Sequence, residues 1–379
     1  MKEPVYVLGG GQTTFGELWE KSLSDLIEEA SSAAIENTKI LPTDIDAIVV
    51  GAMVSGETSE QAHVGTLASS LFSHHPPALR VEAACASGGV AVHTACALLE
   101  SGRARTVLVI GAEKLTDAPS DIVAKALMNA ADSEKDRQSG LTFPGIFALS
   151  ACAYMEQYGI SRDQLSLVSA ASHRAAVNNP YAQFRREIDA ASVSRSPLVA
   201  DPLRLLDCSP ISDGAAALVL STRPLSGVRL AASQVATDHL SLTDRLSITS
   251  FLSTKTAMDR ALEEADWQRS DIDVLELHDC FSIATLIHLE DLGFSEEGRS
   301  IALFEQRETE SGGALPVNTS GGLKACGHPI GATGIKQILD IWKQLSDCSP
   351  NQVPGAKRGL AHNLGGIGAT CSLHLLEAD

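Results

Sequence analysis

Residues 86–111 read ASGGVAVHTACALLESGRARTVLVIG: a helix opened by glycines, a turn at Ser101-Gly102 and an apolar strand. Gly88 to Leu99 is apolar nearly all round, the mark of a helix buried on every side. Thr106 to Ile110 has no polar alternation, the pattern of a strand covered on both faces. A second stretch repeats the order, with GATGIKQILDIWKQLSD (331–347) ahead of KRGLAHNLGG (357–366). The repeat extends upstream of both. Residues 25–50 give a helix ending near Asn37, a turn, then Asp44-Ile45-Asp46 entering the strand AIVV; residues 255–277 give KTAMDRALEEA, a turn, then Asp271-Ile272-Asp273 entering VLEL. The matched order predicts an α/β protein built by duplication of a βαβ-rich half.

The seam is expected near Ser221-Thr222-Arg223-Pro224, where a polar turn follows the strand AALVL. This gives a first half of residues 1–222 and a second of 223–379. Residues about 115–205 have no counterpart in the second half and read as an insertion that covers or shapes a substrate site. Within it Ser161-Arg162-Asp163-Gln164 predicts a capping box opening a helix through Val177.

Composition narrows the function classes. Of 379 residues, 29 are Lys or Arg and 47 are Asp or Glu, a net charge of −18. With no basic run, a nucleic-acid face is excluded, because phosphate neutralisation needs clustered cations. No stretch reaches the roughly 20 apolar residues of a membrane span. The start, MKEPVYVLGGG, lacks a signal-peptide core and the end, LLEAD, carries no organelle address, so a cytoplasmic protein is expected. Eight cysteines without a CxxC pair read as reduced thiols. Gly9-Gly10-Gly11 lacks the third glycine of a dinucleotide fingerprint, Thr14 standing there, and reads as a strand-end turn. GxSxG, Walker A and HExxH are absent.

Four segments combine reactive side chains with glycines. In VEAACASGG (81–89), Cys85 stands where a strand turns into the buried helix, a place that lowers a thiol pKa. In LELHDCF (275–281), an extended strand would put His278 and Cys280 on one side and Asp279 on the other. In GGLKACGHPIGATG (321–334), His328 lies just ahead of a helix and suits a general base. In HNLGGIGAT (362–370), Gly365 and Gly366 allow backbone N–H groups to approach a ligand as an oxyanion hole requires. Taken one at a time, each segment also fits a structural role: a buried thiol, a satisfied histidine or a tight turn. Together they fit covalent acyl transfer with two proton-handling steps. A tetrahedral metal site of Cys85, His278, Cys280 and His328 is the rival; only His278 and Cys280 have the short spacing of a ligand pair, so no metal is assigned.

At these segments, and at NPYAQFR (179–185), VADPLRLLDCSPISDGAAALVL (199–220) and NTSGGLKACGHPIGATG (318–334), the chain resembles the thiolase superfamily over nearly its whole length. The branch it is similar to is that of the sterol-carrier-protein-type thiolases, which carry an HDCF segment, and their bacterial and archaeal acetyl-CoA acetyltransferase relatives. The resemblance implies a five-layered α-β-α-β-α fold with a loop insertion in the first half. It implies a dimer or tetramer that uses coenzyme A thioesters as substrate, with no tightly bound cofactor. By that resemblance Cys85 is the nucleophile, and His328 takes its proton and then helps hold the thioester oxygen. His278 completes that oxyanion hole and Cys280 handles the Cα proton. The N–H groups of Cys85 and Gly365 form a second hole. His173, in ASHRAAVNNP, and Ser320 are expected to face coenzyme A. Where the larger branch has its second cysteine this chain has Asn363, as expected if Cys280 supplies the thiol. Other readings stay open: an acyltransferase or lyase with a non-CoA acceptor in complex with a small OB-fold, zinc-bearing partner; a non-catalytic thiolase-like subunit; and a Cys-His hydrolase, which would not need Cys280.

Overall fold

The computed structural model describes residues 3–379. The first half runs through β1 (Val5–Gln12), α1 (Leu23–Glu36), β2 (Ala47–Gly51), α2 (Ser55–Thr58), α3 (Val64–Ser69), β3 (Ala78–Val81), α4 (Ser87–Glu100) and β4 (Thr106–Glu113). The insertion follows as α5 (Ser120–Leu127), α6 (Phe143–Tyr158), α7 (Arg162–Ala176), α8 (Ala190–Arg195) and the hairpin β5 (Leu198–Ala200) and β6 (Leu203–Arg204). The chain then rejoins the sheet as β7 (Gly214–Ser221). The second half consists of β8 (Val228–Thr237), α9 (Leu252–Ala265), β9 (Val274–Glu276), α10 (Ser282–Asp291), α11 (Ile301–Glu305), α12 (Gly322–Cys326), α13 (Ile330–Leu345), β10 (Arg358–Gly365) and β11 (Thr370–Ala378).

Nine strands follow the order β3-β2-β4-β7-β1-β8-β11-β10-β9. In the first half β2 is parallel to β3 and β4, and β7 is antiparallel to β4 and β1. In the second half β10 is parallel to β9, and β11 is antiparallel to β10 and β8. Only the pairs Val5–Leu230 and Tyr6–Arg229 join β1 to β8, so two copies of one topology meet edge to edge. The counterpart of β3 is reduced to a single parallel bridge between Val317 and Leu275.

The repeated tripeptide does the same job in both halves. The Asp44 carboxylate accepts from Leu41 N–H and that of Asp271 from Gln268 N–H, each at 2.8 Å, closing a 3₁₀ turn. Asp46 accepts from Arg105 and Thr106 N–H at 2.8 and 3.0 Å, and Asp273 from Lys357 and Arg358 N–H at 2.7 and 2.8 Å. Each carboxylate satisfies donors that would otherwise be orphaned where two parallel strands begin.

α1 and α3 cover the outer face of the first-half strands, α9 covers that of the second, and α4 and α13 lie between the halves, touching strands of both. This is the α-β-α-β-α layering. The central pair of helices meets through glycine. A Cβ on Gly88 would lie 2.5 Å from the Gly331 carbonyl oxygen, and one on Gly334 would lie 2.3 Å from the Gly89 nitrogen. With no side chains in the way, the two helix starts pack backbone to backbone. Each helix is preceded, two residues before its first residue, by a reactive side chain: Cys85 before α4 and His328 before α13. Duplication and close packing thus deliver these two groups to one place.

Gly9-Gly10-Gly11 is not a strand-end turn as expected; all three residues lie inside β1. Their smallness serves packing, since a Cβ on Gly11 would stand 2.5 Å from Ala33 of α1, and one on Gly10 would stand 2.6 Å from Leu339 of α13. The capping box at Ser161 and Gln164 is present and opens α7.

Candidate active site

Cys85 is raised toward the centre by a strained turn. Ala84 holds φ +51°, a conformation uncommon outside glycine. Ser87 staples the turn, accepting from Ala83 N–H at 2.9 Å and donating to the Ala84 carbonyl at 2.6 Å. The Cys85 sulfur and one ring nitrogen each of His278 and His328 lie within 4.8 Å of one another. Cys280 is not part of that trio, so the four residues weighed as a tetrahedral metal set do not gather as one. Cys280 instead lines, with Cys85, His328 and Gly366, a cavity of about 330 Å³.

β9 ends at Glu276, so LELHDCF does not stay extended as predicted; His278 to Cys280 form a loop. Other contacts fix that loop. Leu277 N–H donates to the Asn318 side chain at 2.6 Å, and Ser209 N–H donates to the Cys280 carbonyl at 2.8 Å. Asp279 points away from the cavity, accepting from Leu323 N–H at 2.6 Å and from the Ser172 hydroxyl at 3.3 Å. It thereby ties the loop to the segment that carries His328.

The two imidazoles carry opposite tautomers, and neutral partners impose this. The Asn363 Oδ1 accepts from Gly89 N–H at 3.3 Å, which leaves its Nδ2 to donate to the Cys85 carbonyl and to His278 Nδ1, both at 3.0 Å. Backbone groups cannot exchange donor and acceptor, so this amide has one orientation. His278 Nδ1 therefore accepts, and its proton sits on Nε2. At His328 the Thr333 hydroxyl donates its one proton to the Pro329 carbonyl at 3.0 Å. It must then accept from His328 Nδ1–H at 2.6 Å, leaving Nε2 as a bare lone pair. One histidine offers a donor and the other a base.

Burial keeps both thiols and both imidazoles neutral. It pushes the Cys85 thiol up to about 12, opposed by the Gly366 N–H and reinforced by the nearby Glu113. The depressed pKa expected from the helix start is therefore not found; desolvation by the apolar residues packed around the thiol, among them Met53, Leu115 and Ile330, outweighs the local dipole. Burial also holds Cys280 well above the usual thiol range, lowers His328 to about 4, and lowers His278 well below its ordinary value. Glu113, fully buried and raised to about 7 by desolvation, accepts from Met53, Val54 and Gly331 N–H at 3.0–3.1 Å, fixing the start of α13 beside His328.

Not every expected residue comes to the cavity. Gly366, one residue beyond the expected Gly365, lines the cavity with Cys85, and its N–H is a backbone group that favours the thiolate. Gly365 instead packs closely, a Cβ there falling 2.4 Å from the Ala83 carbonyl oxygen. Ser320 is occupied elsewhere: its hydroxyl donates to Glu276 at 2.8 Å and receives Lys336 Nζ at 2.6 Å in a buried ionic network. His173 is 3% exposed, with Nδ1 on the Arg186 carbonyl at 3.2 Å and Nε2 3.4 Å from Lys324 Nζ. Neither lines the cavity. The insertion supplies the opposite wall through Leu115, Val123, Leu127, Phe143 and Phe147, joined by Ser209. Thr333, Glu113 and Ser209 were not anticipated, and Asn363 stood out only as the position that lacks the second cysteine. For Thr333 a signal existed, since it stands in the first turn of α13, five residues beyond His328.

Residues 5–224 match the thiolase N-terminal domain and residues 234–378 the thiolase C-terminal domain-like family. The chain belongs to the thiolase family. This thiolase is 43% identical to an acetyl-CoA acetyltransferase of Methanothermobacter thermautotrophicus, over 98% of this chain and 99% of that protein. It is 33% identical to bovine sterol carrier protein 2, over 97% of this chain and 71% of the relative. Among solved structures, the Ltp2–ChsH2(DUF35) aldolase superposes on the whole thiolase and on 98% of its own chain with a TM-score of 0.86 at 22% identity, a likeness of fold.

Proposed function

We propose that this thiolase is a CoA-dependent acyltransferase, condensing two acetyl-CoA to acetoacetyl-CoA or cleaving 3-ketoacyl-CoA with CoA, through an acyl-Cys85 intermediate. The observation that carries the reading is the pair of opposed tautomers around Cys85, with a second thiol in the same cavity. The acetyl-CoA acetyltransferase name of the 43% identical relative supports the substrate class.

The residues account for each proton. Cys85 sulfur attacks the thioester carbon while His328 Nε2 takes its proton. Gly366 N–H, with Cys85 N–H, faces the oxygen that becomes negative. As the tetrahedral adduct collapses, the C–S bond to CoA breaks and Cys280 gives its proton to the leaving thiolate. The acyl-enzyme then holds a protonated His328 and an ionised Cys280. A thiol pushed up by burial is a poor acid but, once ionised, a strong base, as removal of a Cα proton requires. His278 Nε2–H and the protonated His328 hold the thioester oxygen of the second acyl-CoA while Cys280 takes the Cα proton. The new carbanion attacks the acyl carbon, the bond to Cys85 breaks, and Cys85 recovers its proton from His328. Every group ends as it began.

The reading extends to a cytoplasmic homodimer or homotetramer in lipid metabolism, with the work divided between halves 1–222 and 223–379. A small OB-fold, zinc-bearing partner is part of the proposal, prompted by the DUF35 partner named in the aldolase structure. Non-CoA acceptors and a non-catalytic role are not favoured, because a scaffold would need neither thiol. The test is Cys280→Ala assayed in two halves: it still transfers acetyl to Cys85, using outside buffer acid for the leaving group, but neither condenses nor exchanges the acetyl Cα proton. Condensation at the parent rate would refute the role given to Cys280.

A further inference from the structure

The turn that presents Gly366 to Cys85 has almost no side chains to hold it. Gly366 and Gly368 take φ +62° and +93°, and the segment Gly365-Gly366-Ile367-Gly368 bends at the end of β10. Glycine peptides rotate readily, so something outside must fix the direction of the N–H. Ser253 does so on one side, its hydroxyl donating to the Gly368 carbonyl at 2.7 Å. On the other side lies Arg245, in the loop between β8 and α9. Its Nη1 donates to the Ile367 carbonyl, and its Nε and Nη2 donate to the His239 carbonyl at 3.0 and 2.8 Å. A planar guanidinium can bridge two carbonyls in a fixed geometry; an ammonium on a flexible stem cannot. The loop that carries Arg245 is itself anchored. Asp238 N–H donates to the Ala369 carbonyl at 2.8 Å, the Ser241 hydroxyl donates to Asp136 at 2.8 Å, and Lys135 pairs with Asp244.

We propose that Arg245 is a positioning residue for acyl transfer, clamping the glycine turn so that the Gly366 N–H faces the reacting centre at Cys85. Because Asp136 and Lys135 belong to the insertion, the clamp also links the cavity's covering wall to the oxyanion hole. This rests on the reading of Cys85 as the nucleophile, and on no contact between Arg245 and the substrate.

The test compares Arg245→Ala and Arg245→Lys with the parent enzyme in three measurements: single-turnover acetyl transfer from acetyl-CoA, KM for acetyl-CoA, and the rate of Cys85 alkylation by iodoacetamide. For Arg245→Ala the expectation is acyl transfer slowed on the order of 10²-fold, the effect of misplacing a reacting group by about 1 Å. KM stays within about threefold and alkylation slows in parallel. Arg245→Lys recovers only part of the rate, because one carbonyl is left unheld. If Arg245→Ala does not fold, Arg245→Lys decides by the same split. Acyl transfer within twofold of the parent in either variant, or a loss confined to KM, overturns the proposal. If the parent itself transfers no acetyl group, the functional reading fails; alkylation then decides the role of Arg245 separately, and unchanged alkylation in the variants overturns it.

Discussion

The side-chain amide of Asn363 donates to Nδ1 of His278 across 3.0 Å, and by doing so decides which nitrogen of that ring carries the proton. The same amide holds the Cys85 carbonyl at 3.0 Å, so one residue couples the donor histidine to the nucleophile. Asn363→Asp replaces a donor by an acceptor and would move the His278 proton to Nδ1, turning Nε2 into a lone pair. Reversing a histidine tautomer in a serine-protease triad costs about 10⁴-fold. The expected loss here is roughly 10²–10⁴-fold in kcat for condensation, with circular dichroism unchanged. A variant within threefold of the parent would show that His278 is not a donor in the reaction.

Acid sensitivity follows from the depressed imidazoles. His328 must be neutral to accept the Cys85 proton, and burial lowers its pKa to about 4. The free enzyme therefore keeps its base as pH falls through the ordinary imidazole range near 6.5 and loses it only as pH approaches about 4. The acid limb of kcat/KM should lie well below pH 6. A limb at pH 6.5 would mean that water reaches the ring.

The buried thiol gives a second pH signature. With Cys85 held up to about 12, its thiolate fraction rises tenfold per pH unit throughout the accessible range. Alkylation of Cys85 by iodoacetamide should climb without a plateau between pH 7 and about 10. Saturation near the ordinary thiol value of about 8.5 would show that the helix start wins over desolvation after all.

Packing of the central helices is the most sensitive feature of the fold. Gly88→Ala places a methyl group 2.5 Å from the Gly331 carbonyl oxygen, and all three nearest atoms are backbone, which cannot step aside. Overpacking of this kind costs about 1–3 kcal/mol. Urea titration should show that loss, and activity should fall further than stability alone explains, because Cys85 and His328 stand at the two helix starts being forced apart.

Cavity shape bears on substrate range. The wall facing the thiols is built from Val123, Leu127, Phe143 and Phe147, and its volume of about 330 Å³ exceeds what an acetyl group fills. Each buried methylene contributes about 0.8 kcal/mol, so four more of them would favour 3-ketooctanoyl-CoA over acetoacetyl-CoA in thiolysis by at least about tenfold in kcat/KM. Ala124→Phe, on the same wall, should remove that preference and leave acetoacetyl-CoA cleavage within about threefold. Equal rates for both substrates in the parent would assign the apolar wall to the pantetheine arm instead.

How far the sequence reveals this depends on what kind of information a residue carries. The duplication was legible because it is local order repeated, and the two Asp-Ile-Asp tripeptides prove to cap the same turns and strand starts. Cys85 and His328 were legible because glycines surround them, and the glycines are explained by backbone packing of α4 on α13. The direction of the Cys85 shift was not legible, since a helix start is a local feature while desolvation comes from Met53, Val54, Leu115, Val123, Ala126 and Ile330, brought together by tertiary packing. His173 and Ser320 misled for the same reason: their partners, Lys324 and the Arg186 carbonyl for one, Glu276 and Lys336 for the other, are set by tertiary packing. Asn363 was visible only as a missing cysteine, because its value lies in contacts with Gly89, Cys85 and His278, all more than 80 residues away.

The central claim is that Cys85 carries the acyl group. Intact-protein mass spectrometry after brief incubation with acetyl-CoA, and separately with acetoacetyl-CoA, followed by peptide mapping, tests it directly. One acetyl group on the peptide containing Cys85, released CoA, and no adduct in Cys85→Ser are the predicted results. An adduct on Cys280 with Cys85 unmodified, or acetoacetyl-CoA cleaved at the parent rate by Cys85→Ser, would contradict it.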